Sequence, residues 1–297
     1  GARLVTEPLE TIVKAINGGE HVYSNTQDDN VLVTARFFVG TKADEAILRV
    51  HEKIRANMQR IPTGIPEPLI VGRGIDDVAI VTLTLAPRAE AAERYPDNAL
   101  FHIADNLLIE LAKLEDVGLS YIVGGRPDQI RVEPDPEKLS LYGVTLSQLT
   151  AKVRDANRSF QAGRVREANR SIAVTAGQTL HGVPDIGLLL IGTRDGRPVY
   201  VRDVAKVVVD AKRAEQRVWH VRKTADGGAE RVPAVTIALA KRAGANAVVI
   251  AERIRHRLAE LEGTQVPRDV EVIVTRDYGE TANEKANELL FHLALAT

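Results

Sequence analysis

A chain of 297 residues is longer than one average domain, and 44% apolar against 27% charged residues is the composition of a globular protein, not a disordered one. The 39 basic and 40 acidic side chains leave a net charge of -1, which removes the electrostatic basis for a nucleic-acid or anionic-membrane partner. Without cysteine there is no disulfide, no thiolate catalysis and no Cys-ligated metal, and no apolar run reaches the ~20 residues a transmembrane helix requires.

The first segment has helical apolar spacing (Leu4, Leu9, Ile12, Val13, Ile16) and ends at Gly18-Gly19. Two strand-like runs follow, His21 to Asn25 and Val31 to Val39, flanking Gln27-Asp28-Asp29-Asn30, which fits a plain turn better than a calcium loop. Thr41-x-x-Asp44 has the form of a capping box, and Ile47, Val50, Ile54, Met58 and Ile61 follow at helical spacing. The rigid connector Pro62-x-Gly64-x-Pro66-x-Pro68 predicts a boundary near residue 75.

A second module opens on the strand Val78 to Leu85 and continues in an amphipathic helix (Leu100, Ile103, Leu107, Leu108, Leu111, Leu114). It returns in strands around Val117 to Val123 and Gln129 to Val132, divided by Gly124-Gly125, and this is one half of a split β-α-β unit. From Pro134 the pattern changes to a short helix (Glu137 to Tyr142), a second helix capped by Thr145-x-x-Gln148, and hairpin-rich sequence as far as Val209. The polar turn at Arg202-Asp203, feeding the alternating strand Val204 to Val209, marks the return from this insertion. Pro233 to Leu239, a helix bearing Ala247, Ala251, Ile254, Leu258 and Leu261, and the strand Val270 to Val274 then supply a second β-α-β. The expected fold class is α+β, with ferredoxin-like β-α-β subdomains of which the second is split by an inserted α+β subdomain. Apolar density climbs again from Leu289 to Thr297, as expected of a soluble segment excised from between hydrophobic neighbours.

Seven short motifs occur in order along nearly the whole chain: Glu7-Pro8-Leu9-Glu10, Ala15-Ile16-Asn17-Gly18, Phe38-Val39-Gly40-Thr41-x-Ala43-Asp44, Tyr142-Gly143-Val144-Thr145, Asn157-x-x-x-x-Ala162-Gly163, Val201-Arg202-Asp203-Val204-Ala205-Lys206-Val207 and Gly244-Ala245-Asn246-Ala247. Together they resemble the first large periplasmic loop of a resistance-nodulation-division (RND) efflux permease of the hydrophobe/amphiphile type. The resemblance implies a first porter subdomain at 1–75, a second in two halves at 76–133 and 212–277, a docking subdomain inserted at 134–211, and the start of the next membrane helix at 278–297. It also implies a transporter segment and not an enzyme: in the full-length protein, a proton-coupled antiporter and homotrimer of the bacterial inner membrane, with this segment in the periplasm. A periplasmic adaptor protein and an outer-membrane channel would complete a tripartite complex. The family's proton-relay carboxylates and lysine belong to membrane helices, so this segment is expected to hold no catalytic residue and no cofactor.

In aromatic-rich multidrug members the second porter subdomain lines its pocket with phenylalanines. One such position falls here on Val123, with Tyr121 on the same strand face. With Ile80, Thr82 and Thr236 these form the candidate substrate-binding surface, although Tyr121 and Val123 fit a plain core role equally well. Small and aliphatic side chains, in a chain with 4% aromatics, suit a lipid, sterol or hopanoid better than flat drugs that bind by stacking. Arg164, Arg166 and Arg170 follow Ala162-Gly163, where long-armed family members carry a Gly/Pro-rich extension, and are the expected docking and oligomer contacts of a shorter arm. A heavy-metal pump segment is the poorer alternative, because such pumps move soft cations through methionine pairs and Met58 is the one methionine. No two histidines lie four apart, which argues against a helical zinc site. Arg36-Phe37-Phe38 puts its rings on alternate faces, unlike an RNA-stacking platform. A stand-alone periplasmic protein binding lipids or other hydrophobes is the alternative from a different class.

Overall fold

The computed structural model describes residues 2–296 apart from 28–29, 157–158, 168–169, 178–181 and 225, with the backbone alone at 2–3, 159–167, 170–177, 294 and 296. The first part comprises α1 (Ala2–Lys14), β1 (Gly19–Gln27), β2 (Asn30–Phe37) and α2 (Ala43–Arg55). β1 and β2 pair antiparallel from Gly19↔Phe37 to Gln27↔Asn30, and Leu9, Ile12 and Val13 of α1, Ile16 just after it, and Ala46 and Ile54 of α2 are buried. Asp28 and Asp29, within the expected turn, lie outside the described residues. The expected Thr41/Asp44 capping box does not form. α2 starts one residue later with Lys42 at the N-cap and no side-chain cap, because Thr41 is instead held by a backbone bond from its N–H to the Phe38 carbonyl. Met58 begins a separate single turn after the helix and is half-buried.

The central sandwich is built from two stretches far apart in sequence. β3 (Ala79–Pro87), α3 (Asp97–Leu111) and β4 (Val117–Val123) come from the first. Before the second, the chain runs through β5 (Asp128–Pro134), α4 (Pro136–Tyr142), α5 (Leu146–Ala156), β6 (Ser159–Glu167), β7 (Arg170–Gly177), α6 (Val183–Gly187), β8 (Leu190–Arg194), β9 (Arg197–Tyr200), α7 (Val201–Val204) and β10 (Ala205–Ala211). β11 (Val218–Lys223), β12 (Ala229–Lys241), α8 (Ala247–Leu261), β13 (Val270–Asp277) and α9 (Tyr278–Ala296) complete it.

β12 lies between β3 and β4 and is antiparallel to both, while β13 flanks β3 on its other side. The order β4-β12-β3-β13 is therefore that of two interleaved β-α-β units, the ferredoxin-like arrangement. The first half of β12 extends beyond β4 and pairs with β11, a strand whose short mixed sequence gives no alternating apolar signal.

One face of this sheet carries the core. Val81, Leu83 and Leu85 alternate with Val235, Ile237 and Leu239 across the β3–β12 pair, all fully buried. Against them pack Leu100, Ala104, Leu107 and Leu111 of α3 and Ile250, Ala251, Ile254, Leu258 and Leu261 of α8, both at helical spacing. Each large aliphatic contributes roughly 1.5–3 kcal/mol of transfer free energy.

The inserted elements have their own core of Leu149, Ile186, Val199, Val201, Val204 and Ala205, with Val132 and Val207 packed against it. β5 pairs not with the sandwich sheet but with β10, antiparallel from Asp128↔Ala211 to Pro134↔Ala205, so outgoing and returning chains form one ribbon. The cap expected at Thr145-x-x-Gln148 forms, and α4 has caps of its own. Thr145 and Gln148 form the reciprocal capping box (2.9 and 3.2 Å), Asp135 caps α4 ahead of Pro136, and Gly143 ends it at φ 67. The Arg202-Asp203 turn closes with the Tyr200 N–H donating to Asp203 Oδ2 at 2.8 Å.

Candidate functional site

Strand alternation puts every second residue of the central sheet on the face turned away from α3 and α8. Register aligns Val123, Thr236, Thr84 and Ile273 in one row across β4, β12, β3 and β13, and Tyr121, Ala238 and Thr82 in the next. Tyr121 is 43% exposed, while Val123, Thr82 and Thr236 are half-buried. Four of the five expected binding residues thus share one accessible surface. Tyr121 and Val123 both lie outside the main core cluster. Ile80 is not part of that surface: it is 6% exposed and belongs to the main core cluster.

Two residues of this face escape a reading by hydrophobicity. Thr84 is 6% exposed, and its Oγ1 lies 2.8 Å from Thr236 Oγ1 and 3.1 Å from Thr275 Oγ1. Thr275 is exposed, 2.9 Å from Thr82 Oγ1, and donates to the Thr82 carbonyl at 3.2 Å. The Thr82-x-Thr84 alternation was the available signal for Thr84. Thr275 could not be associated with them from sequence, since 193 residues separate it from Thr82.

Beyond this row the face becomes charged. Arg222 of β11 reaches across to donate to the Pro87 carbonyl and lies 3.4 Å from Glu230 and 3.7 Å from Glu271, with His220 4.0 Å from Glu271.

Two other polar clusters lie outside this face. A groove of about 460 Å³ between α3 and α8 is lined by Glu110, Lys113, Leu114, Arg253, His256, Arg257 and Glu260. Arg257 donates to Glu110 and to Glu260, each at 2.8 Å. Lys113 and then Arg257 hold the Glu110 carboxyl below its ordinary range, and Arg257 does the same to Glu260. At the root of the ribbon, Asn98 donates to the Arg126 carbonyl (2.6 Å) and Asp128 (3.0 Å), with His102 3.1 Å from the same carboxylate. Asn98, followed by His102, lowers the Asp128 pKa.

Arg164, Arg166 and Arg170 fall on the β6–β7 hairpin, where Arg166 pairs with Ser171 and Glu167 with Arg170 in register; their side chains lie outside the described residues. Among the described residues no group of three His, Asp or Glu side chains converges on a position for a metal ion, and no helix is long and apolar enough to cross a membrane. In comparison with known proteins, a family model described as the AcrB/AcrD/AcrF family matches residues 2–297.

Proposed function

Because the chain belongs to the AcrB/AcrD/AcrF family of resistance-nodulation-division transporters, we propose that it is the periplasmic substrate-capture and docking segment of a proton-driven inner-membrane pump exporting hydrophobic or amphiphilic compounds of lipid-like shape. In this reading, 1–75 is the first porter subdomain, 76–133 with 212–277 the second, 134–211 the docking subdomain, and 278–297 the approach to a membrane helix. Arg164, Arg166 and Arg170 then belong to the docking and trimer contacts, with a periplasmic adaptor and an outer-membrane channel as partners.

The supporting observation is the sheet face of Tyr121, Val123, Thr82 and Thr236, which leaves small and aliphatic groups accessible on the side opposite the helices. A rigid apolar body lying there gains about 25 cal/mol per Å² buried. Because this face covers one side of it only, affinity is expected on the order of tens of micromolar or weaker. Val123→Asp should abolish binding of a sterol probe while leaving the melting temperature within a degree or two, because the residue is outside the core. Equal or tighter binding of a planar cationic dye would turn the cargo reading toward flat drugs.

A further inference from the structure

We propose that the four threonine hydroxyls of this face form a ladder that can only accept hydrogen bonds, so that the ligand it selects is an apolar body carrying one neutral hydrogen-bond donor, an alcohol. The inference deepens the proposed function and rests on its assignment of the face as the binding surface.

A threonine hydroxyl has one proton to donate and two lone pairs. Thr275 Oγ1 donates to the Thr82 carbonyl at 3.2 Å, and a carbonyl can only accept, so that proton is committed. The hydroxyls of Thr82 and Thr84, 2.9 and 3.1 Å from Thr275 Oγ1, must then be the donors to it. Thr84 has thereby spent its proton, and Thr236, 2.8 Å away, must donate to Thr84. One assignment satisfies all four contacts, and it turns every proton inward along β12, β3 and β13. What remains outward is lone pairs. Thr236, at the end of the ladder beside Val123, keeps both of its own, as does Thr82.

A ligand donor placed on Thr236 would lay its apolar body over Val123 and Tyr121. A ligand with acceptors alone would confront lone pairs with lone pairs and leave its oxygen desolvated without a partner. An ammonium is a donor too, but no carboxylate shares these rows. The nearest along β13 on this face, Glu271, is occupied by Arg222 and His220. A cation buried here would lack a counter-charge, so the neutral alcohol is favoured.

Three probes with one cage separate these chemistries: 1-adamantanol, 1-methoxyadamantane and 1-adamantylammonium, titrated into the isotopically labelled 297-residue chain and followed through the amide resonances of Tyr121, Val123 and Thr236. The alcohol should bind about threefold to tenfold more tightly than its methyl ether, the range of one neutral hydrogen bond, and more tightly than the ammonium. Thr236→Val should erase the preference by weakening the alcohol alone. Thr236→Ser, which keeps the hydroxyl, should retain it and controls for folding. If Val123→Asp abolishes binding but alcohol and ether bind wild type equally, or the preference survives in Thr236→Val, the acceptor ladder is overturned and the binding surface stands. If the ammonium binds best, the selected donor is a cationic amphiphile and the alcohol assignment is overturned. If no probe perturbs these three residues, the surface itself is wrong and the ladder falls with it.

Discussion

Arg257 illustrates how one side chain links two helices distant in sequence. Its guanidinium bridges Glu110 of α3 and Glu260 of its own helix at 2.8 Å each, across the groove at the ends of α3 and α8. Glu260 and then Glu110 raise its own pKa, so it remains charged throughout the working range. The two carboxyls are held below their ordinary value of 4.5, which means the folded state takes up their protons less readily than the unfolded chain. Their contribution is complete above that value and is lost as pH falls through the lowered folded values. Arg257→Ala should therefore lower the melting temperature near pH 7, and the gap from wild type should close as pH falls from about 5 to 3. A gap that stays constant would mean that Arg257 acts through packing of its stem and not through charge.

At the scale of elements, local chemistry decides where helices begin but neighbours decide where they sit. α9 follows β13 without a loop. Asp277 caps it by accepting from the Glu280 N–H at 2.9 Å, and its other carboxylate oxygen lies 3.3 Å from Arg255 of α8. Gly279 lies so close to α8 that a Cβ there would be 2.6 Å from Ala251 Cβ and 2.9 Å from the Ala247 carbonyl oxygen. Gly279→Ala gains up to about 1 kcal/mol of helix propensity, but overpacking against a backbone atom costs about 1–3 kcal/mol, so the clash wins. Faster amide exchange over 280–288, with α8 and the β-sheet unaffected, is the expected result; unchanged exchange would show that α9 is held elsewhere.

For the whole molecule, the decisive feature is the interleaving of β3 and β4 with β12 and β13. Among the described residues, none between 128 and 211 belongs to the core under α3 and α8, whose members come from the two flanking stretches. Joining Glu133 to Lys212 through a short linker should accordingly leave a sandwich that still melts cooperatively, at the cost of an unpartnered β5. A non-cooperative melt would mean that the ribbon and the insertion are needed to bring the halves together.

Local pattern and chemistry were sufficient for much of this protein. Apolar residues at 3.6 and 2 spacing defined α3, α8, β3 and β4, and the cap at Thr145 formed as its spacing predicted. The ordered short motifs led to the family. Tertiary contacts decided the rest. A Phe38 carbonyl took the Thr41 N–H and displaced a cap that spacing alone predicted. β5 found its partner in β10, about 75 residues away, because register pairing depends on which edges meet and not on distance along the chain. Ile80 was drawn into the core although alternation assigns it to the face of Thr82. The hydroxyl ladder needs Thr275 from the far end of the chain, since side-chain hydrogen bonds require atoms within about 3 Å, and only folding brings residues 82, 84, 236 and 275 that close.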